Sequence, residues 1–255
     1  MSMNVRIIVF LLSTIISKSR HRTYAFSANN NDLVSNLSLH KVFLRQSSSS
    51  PWCYGLTIDP TRESNIKIAY NFLSTQVWPS ARVAAFTCET HVDKKWKVCE
   101  LGAGPCLPSL TLASMGVDVI ATDIDELALQ MAQQAASKQS LENRFQTKIL
   151  DLMGDIQILD EINADLYILS DVFESGDVVK GAAKMTMKAL KSDSRVWVFA
   201  QSDRAQREIY LEELKCMGAE KYCSELTWRI LHKESDLIQD RLILCDLDEV
   251  TVNYS

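Results

Sequence analysis

The chain has 255 residues, 47% hydrophobic and 23% charged, which suits one ordinary soluble domain with an appendage and excludes a fibrous or wholly disordered protein. Its formal net charge is -5 but unevenly spread: of 27 bases and 32 acids, residues 1–58 hold six bases (Arg6, Lys18, Arg20, Arg22, Lys41, Arg45) and one acid (Asp32), leaving 21 bases against 31 acids beyond. So acidic a body excludes nucleic acid as its main partner, because phosphate-backbone binding needs clustered Lys and Arg, and favours a small molecule or a basic protein.

In chain order, residues 1–55 read as an address and residues 56–255 as the working domain. After Arg6 an apolar run extends from Ile7 to Ile16. A bilayer-spanning helix needs ~20 residues, so this run predicts no stable membrane insertion and matches a signal-peptide core in length. The Ser- and Asn-rich, acid-poor stretch that follows ends in "QSSSSPW" and is transit-peptide-like in composition. Together the two parts resemble the two-part plastid presequences of diatom-like algae. A mitochondrial presequence is the near alternative, and a cytoplasmic protein with an irregular N-terminus is the other. The seven cysteines are odd in number and show no C-x-x-C spacing, which predicts reduced, structural thiols and no metal site.

From residue 96 strands and helices alternate. "KVCELG" is a buried strand ended by glycine, and "SLTLASMG" is a helix stopped at Gly116. "VDVIATDI" is a β-branched strand, and "DELALQMAQQAASKQ" is a helix with Leu127, Met131 and Ala135 on one face. "FQTKILDL" and "ADLYILSDVF" are strands, "VVKGAAKMTMKAL" a helix, "SRVWVFAQ" a strand, and "AQREIYLEELKCMG" a helix closing at Gly218. "KYCSELTWRI" and "RLILCDLDEV" are strand-like, joined by the short "LHKESDLIQD". The pattern predicts an α/β fold: a doubly wound, mostly parallel seven-strand sheet, Rossmann-like, with helices on both faces and the last strand antiparallel through a hairpin. Its ligand site lies off the carboxyl ends of the strands at the switch point.

The glycines sit there. Glu100-Leu101-Gly102-Ala103-Gly104 ends the first of these strands, and glycine permits a sharp turn and close approach of a ligand. A dinucleotide fold wants a third glycine where this chain has Leu107, and it wants the N–H donors that Pro105 and Pro108 remove. S-adenosylmethionine carries no phosphate, and its cationic end is met by an acid such as Glu100. Asp123 ends the next strand, 19 residues beyond Gly104, where a carboxylate accepts ribose hydroxyls. Asp125 beside it reads as a helix N-cap. Asp151 and Leu152, ending the third strand, fall at the adenine edge; a plain loop acid is the other reading of Asp151.

"VWPSARVAAF", "CELGAGPCLPSL", "VIATDID" and "LSDVF" together resemble the methyltransferase-like protein-lysine methyltransferases, the seven-strand "family 16" group, over residues 66–200. The resemblance implies a class I methyltransferase that transfers a methyl group from S-adenosylmethionine to a lysine of a folded protein. By position, Trp78 lines the cofactor pocket, unless it is a buried aromatic anchor. Glu100, Gly102 and Gly104 hold the methionine end, Asp123 the ribose, and Asp151 with Leu152 the adenine. Ser170 and Asp171 face the methyl group, with Asp171 aligning the acceptor amine as the catalytic carboxylate. Many members carry Asp-x-x-Tyr here, whereas this chain has Asp171-Val172-Phe173-Glu174. Phe173 then either supplies the aromatic wall around the lysine or that wall is missing. Glu174 suits a basic substrate or simply sits near a helix N-terminus. A small-molecule methyltransferase and a non-catalytic cofactor-binding module are the alternative functions on the same fold.

Overall fold

The computed structural model describes residues 39–44, 53–58, 73–230 and 240–247. All lie in the larger of the two units into which the chain divides, Asn36–Ser255. The elements are β1 (Leu39–Leu44), β2 (Cys53–Ile58), α1 (Pro79–His91), β3 (Lys97–Leu101), α2 (Leu107–Ser114), β4 (Asp118–Asp123), α3 (Glu126–Ser137) and β5 (Phe145–Ile149). They continue as α4 (Ile158–Ile162), β6 (Leu166–Ser170), α5 (Gly176–Lys191), β7 (Arg195–Ala200), α6 (Arg207–Cys216), β8 (Trp228–Ile230) and β9 (Leu242–Asp246).

Seven strands form one sheet in the order β5-β4-β3-β6-β7-β9-β8, with all its pairs parallel. Side chains alternate across it with the pleat. Cys99 and Leu101 of β3, Tyr167 and Leu169 of β6, and Val196 and Val198 of β7 join one core with Val179 and Met185 of α5 and Tyr210 and Leu214 of α6. The alternate residues Val98 and Glu100 face the other layer, where α1 and α2 pack together. Such two-sided burial explains why the central strands read as unbroken apolar runs. The helices begin where their caps dictate. Asp125 accepts the Leu127 N–H (2.9 Å) at the head of α3, as the sequence predicts, and the Ser175 hydroxyl accepts the Val178 N–H (3.3 Å) at the head of α5.

The structure departs from the sequence reading in three places. The last strand, β9, runs parallel to β7, with Val196 opposite Leu242 and Ala200 opposite Asp246. A hairpin is unnecessary because β8 is short and lies level with the end of β9, Trp228 opposite Leu244 and Ile230 opposite Asp246. From Ile230, level with Asp246, back to Leu242 is only four strand positions, about 13 Å; the connecting residues 231–239 lie outside the described residues. Second, "KYC" is not a strand: Ala219–Tyr222 is a 3₁₀ turn. The Asp240 carboxylate there takes the Ser224 N–H (2.8 Å) and hydroxyl (2.9 Å) and pairs with Arg229, bending the segment. Third, α1 and the short α4 are additional helices; Pro79 at the first position of α1 is the local signal for that one. Residue 55, where the composition shifts, lies in β2 of the antiparallel pair β1–β2. A Cβ on Gly55 of β2 would lie 3.4 Å from the Pro105 carbonyl, so this pair packs beside the glycine loop. Residues 1–38, with the apolar run of the presequence, lie outside the described residues. Among the described residues no helix is long and apolar enough to cross a membrane.

The β1–β2 pair gives a direct test of where the domain starts. A chain beginning at residue 51 lacks β1 and leaves the β2 ladder open. It is expected to be less stable than one beginning at Asn36 by about 1–2 kcal/mol, melting several degrees lower. Equal melting temperatures would show that β1 contributes nothing to the domain.

Candidate functional site

Strand order runs outward in opposite directions from β3 and β6, so the switch point lies at their carboxyl ends. The chain leaves β3 through Gly102 (φ +66°) and Gly104 (φ +49°), a backbone region that L side chains rarely adopt. Space excludes a side chain too. A Cβ on Gly102 would lie 2.5 Å from Val172 Cγ1, and one on Gly104 3.0 Å from the Ser74 carbonyl oxygen. The loop is tied to β4: the Ala103 N–H donates to the Thr122 carbonyl and the Gly104 N–H to Asp123 Oδ2, both at 2.8 Å. It then enters α2 through Cys106, itself left-handed at φ +59°, with the thiol donating to the Gly104 carbonyl.

Glu100 is fully buried beneath this loop. Its Oε2 accepts the Ser109 hydroxyl (2.6 Å) and the Ser109 N–H (3.1 Å) near the head of α2, and its Oε1 accepts the Ser170 hydroxyl (3.4 Å) from the end of β6. Desolvation pushes its carboxyl up to about 7, and the hydrogen bonds from Ser109 and Ser170 hold it from rising further. Sequence reasoning puts Glu100 and Ser170 in one site, and the structure brings them together.

Asp123 is nearly buried. Its Oδ1 accepts the Asp125 N–H (2.8 Å) while Oδ2 holds Gly104. Desolvation raises its pKa, offset in part by these two N–H donors. The Ile124 N–H also lowers its pKa, and a carboxylate offers about four lone-pair sites, so capacity for a ligand hydroxyl remains. Asp151 is exposed, and its carboxylate turns back onto the Met153 N–H (2.8 Å), closing the loop that carries Leu152. Leu152 is buried with its side chain toward Gly102. Sequence reasoning misses two neighbours: Ile124 and Met153 are 62% and 54% exposed, apolar side chains following the ends of adjacent strands. Their signal is an unpartnered apolar residue just beyond a strand-end acid. A groove of about 230 Å³ between this loop and α5, lined in part by Met153, Ile156, Lys180 and Lys184, touches only Leu152 of the expected residues and lies away from Glu100 and Asp123.

Beyond β6 the expectation changes. Asp171 is left-handed (φ +61°), its side chain is 2% exposed, and both its oxygens are engaged by Arg204, Nε at 2.7 Å and Nη2 at 2.6 Å. The Arg204 guanidinium also lies over the Trp78 indole, 5.4 Å from the ring centroid. Trp78 thus reaches the site as the face on which Arg204 rests. Phe173 forms no wall around a substrate: it is buried edge-on against Tyr210 (5.6 Å) and Trp228 (5.7 Å) in the core. Glu174 is solvent-accessible. Protein atoms nonetheless crowd its carboxyl, and that desolvation, with the charges of Asp123 and Asp171, raises its pKa against the pull of Arg204. Among the described residues no cluster of His, Cys, Asp and Glu has the makings of a metal centre. The arrangement sets a buried carboxylate at Glu100, a nearly buried one at Asp123 and a solvent-accessible one at Glu174.

A sequence profile of the family described as lysine methyltransferase matches residues 65–217. A protein-lysine methyltransferase of Mus musculus, METTL21E, is 27% identical over 143 residues, 52% of this chain and 57% of that protein. The match thus spans little more than half the length of that relative. Among solved structures, a TehB-like SAM-dependent methyltransferase from Corynebacterium glutamicum superposes with a TM-score of 0.45 at 20% identity, covering 63% of this chain and 84% of that one. The T. thermophilus 16S rRNA methyltransferase RsmC does so with a TM-score of 0.49 at 15% identity, covering 69% and 45%.

The Asp171–Arg204 pair generates a stability prediction. Arg204→Ala leaves a buried carboxylate unpaired and is expected to cost about 2–3 kcal/mol, whereas Arg204→Lys keeps the charge, loses the two-point geometry and recovers part of it. Thermal melts of both variants check this, and an unaltered transition in Arg204→Ala would show that the pair does not stabilise the fold in solution.

Proposed function

Because the chain belongs to the lysine methyltransferase family, we propose that it transfers the methyl group of S-adenosylmethionine to a lysine side chain of a protein. The observation that carries this is the set Glu100, Gly102, Gly104 and Asp123 at the switch point. Its chemistry fits the cofactor at each end. An anionic Glu100 suits the cationic methionine end, with Ser109 and Ser170 fixing the carboxylate. The remaining acceptor capacity of Asp123 suits a ribose hydroxyl. Ile124 and Met153 offer apolar surface to an adenine ring, and Asp151 closes the loop that presents the Leu152 backbone to its edge. Pro105 and Pro108 strip N–H donors from the loop, which suits a ligand without phosphate.

The bound cofactor supplies an already activated methyl group. The chain's own contribution is therefore positioning and exclusion of water. The sheet core and the tight glycine loop give a rigid floor, and Asp171 with Arg204 and Trp78 give one fixed side. The acidic body, 21 bases against 31 acids beyond residue 58, favours a basic protein as acceptor. The organellar address belongs to the same proposal and rests on the composition of the N-terminal segment.

Radiolabelled S-adenosylmethionine with cell extract is the test: label is expected in protein, on lysine after hydrolysis. Label confined to small molecules would overturn the lysine reading while keeping the cofactor.

The buried Glu100 makes a second prediction. Its pKa of about 7 means that much of it is protonated at pH 6 and little at pH 8. A cationic ligand binds the ionised form, so binding releases a proton at pH 6 and affinity rises as pH climbs through about 7. Calorimetry with S-adenosylmethionine in two buffers of different ionisation enthalpy measures this. Glu100→Gln is expected to abolish the proton release and weaken binding about tenfold, ~1.4 kcal/mol; an unchanged buffer dependence would remove Glu100 from the cofactor site.

A further inference from the structure

A methyl acceptor with a cationic side chain needs a carboxylate that is free to meet it, and Asp171 is not. Both its oxygens are held by Arg204 at 2.6 and 2.7 Å, and its side chain has almost no solvent contact. An incoming ammonium would have to displace a two-point guanidinium bond that also rests on Trp78. Three residues on, the chain offers another carboxylate. The left-handed turn at Asp171 carries it across the glycine loop, so that Val172 lies against Gly102. Phe173 then turns into the core and Glu174 turns out to solvent, immediately before the α5 cap Ser175. Glu174 forms no salt bridge among the described residues, whereas Asp171 does.

We propose that Glu174, rather than Asp171, is the carboxylate that receives the ammonium of the substrate lysine, and that it determines the site's selectivity for a basic side chain. This rests on the methyl-transfer reading above. Lysine is charged at neutral pH, with a reference pKa of ~10.4, and its nitrogen has no lone pair until a proton leaves. Glu174 first pairs with the ammonium. A proton then passes from Nζ to a carboxylate oxygen, leaving a neutral amine with its lone pair free and a neutral carboxyl that returns the proton to water. The charged groups facing Glu174 are Asp123, Asp171 and Arg204. The two carboxylates keep its surroundings anionic, and Arg204 is neutralised by Asp171. The Asp171–Arg204 pair is then a positioning element that shapes the wall without touching the reacting nitrogen.

The test uses the full chain with radiolabelled S-adenosylmethionine and the proteins that it labels in extract. Glu174→Gln removes the charge, keeps the side chain's shape and breaks no salt bridge among the described residues, so the melting transition should stay in place. It is expected to lower kcat/KM for protein acceptors at least tenfold, mainly through KM, while calorimetry gives a cofactor Kd within twofold of the parent. Glu174→Asp should recover part of the loss, and the acid limb of the pH profile should disappear in Glu174→Gln. Labelling at the parent rate by Glu174→Gln, or a parallel loss of cofactor affinity, overturns the inference. A parent chain that binds cofactor but labels no protein overturns the lysine reading, and this inference with it; that failure appears in the parent, whereas failure of the inference alone appears only in the variant.

Discussion

A carboxylate with no solvent contact must be met by donors or it will not stay ionised, and Glu100 is such a group at the centre of this sheet. Its donors come from two other elements: Ser109 near the head of α2 and Ser170 at the end of β6. One side chain therefore fixes how α2 lies on the sheet and how β6 sits beside β3. Those are the two strands between which the fold changes direction. The donors do not fully compensate for the lost water, and the carboxyl is left near 7. Burial without complete compensation costs stability, and on the proposed reading a cationic ligand would offset that cost. A site whose unmet charge needs the ligand is one in which fold and binding share a single interaction.

The loop above Glu100 follows from the same geometry. To clear the carboxylate and start α2 within a few residues, the backbone passes through left-handed conformations at Gly102, Gly104 and Cys106. Asp123 takes up the Gly104 N–H with one oxygen and the Asp125 N–H with the other, so the acid that ends β4 also braces the turn that ends β3. Val172, from the far side of the switch point, fills the space a side chain on Gly102 would need. Three strand ends are thus locked to one another by a hydrogen bond and a steric contact.

Much of this was legible in the order of residues. Strands buried on both faces carry unbroken apolar runs, so β3, β4, β6 and β7 announce themselves, and Glu100 and Asp123 stand out as acids at the ends of such runs. Asp125 reads as a cap because capping is local chemistry. What escaped depends on contacts between distant parts. Arg204 lies 33 residues from Asp171 and meets it because β6 and β7 are neighbours, so that the loops leaving them converge. Phe173 looks like part of an aromatic wall until the turn at Asp171 sends it toward Tyr210 and Trp228. The direction of β9 follows from the shortness of β8, only Trp228–Ile230, which the length of the connection does not reveal.

The convergence at Asp171 also bears on what an acidic rim can do. Two carboxylates three residues apart repel, and the charge of Asp171 helps to raise the pKa of Glu174. Arg204 removes one of them from the contest by binding both its oxygens, and Trp78 supports the guanidinium from behind. Glu174 forms no salt bridge among the described residues and is solvent-accessible. On the proposed reading, a group so placed meets a long, flexible cationic side chain before the deeper site does. A wall built from a tied ion pair gives shape without attraction, and a free carboxylate at its edge gives attraction without shape. Selectivity for a basic side chain requires both, and the four-residue span from Asp171 to Glu174 divides the two between its ends.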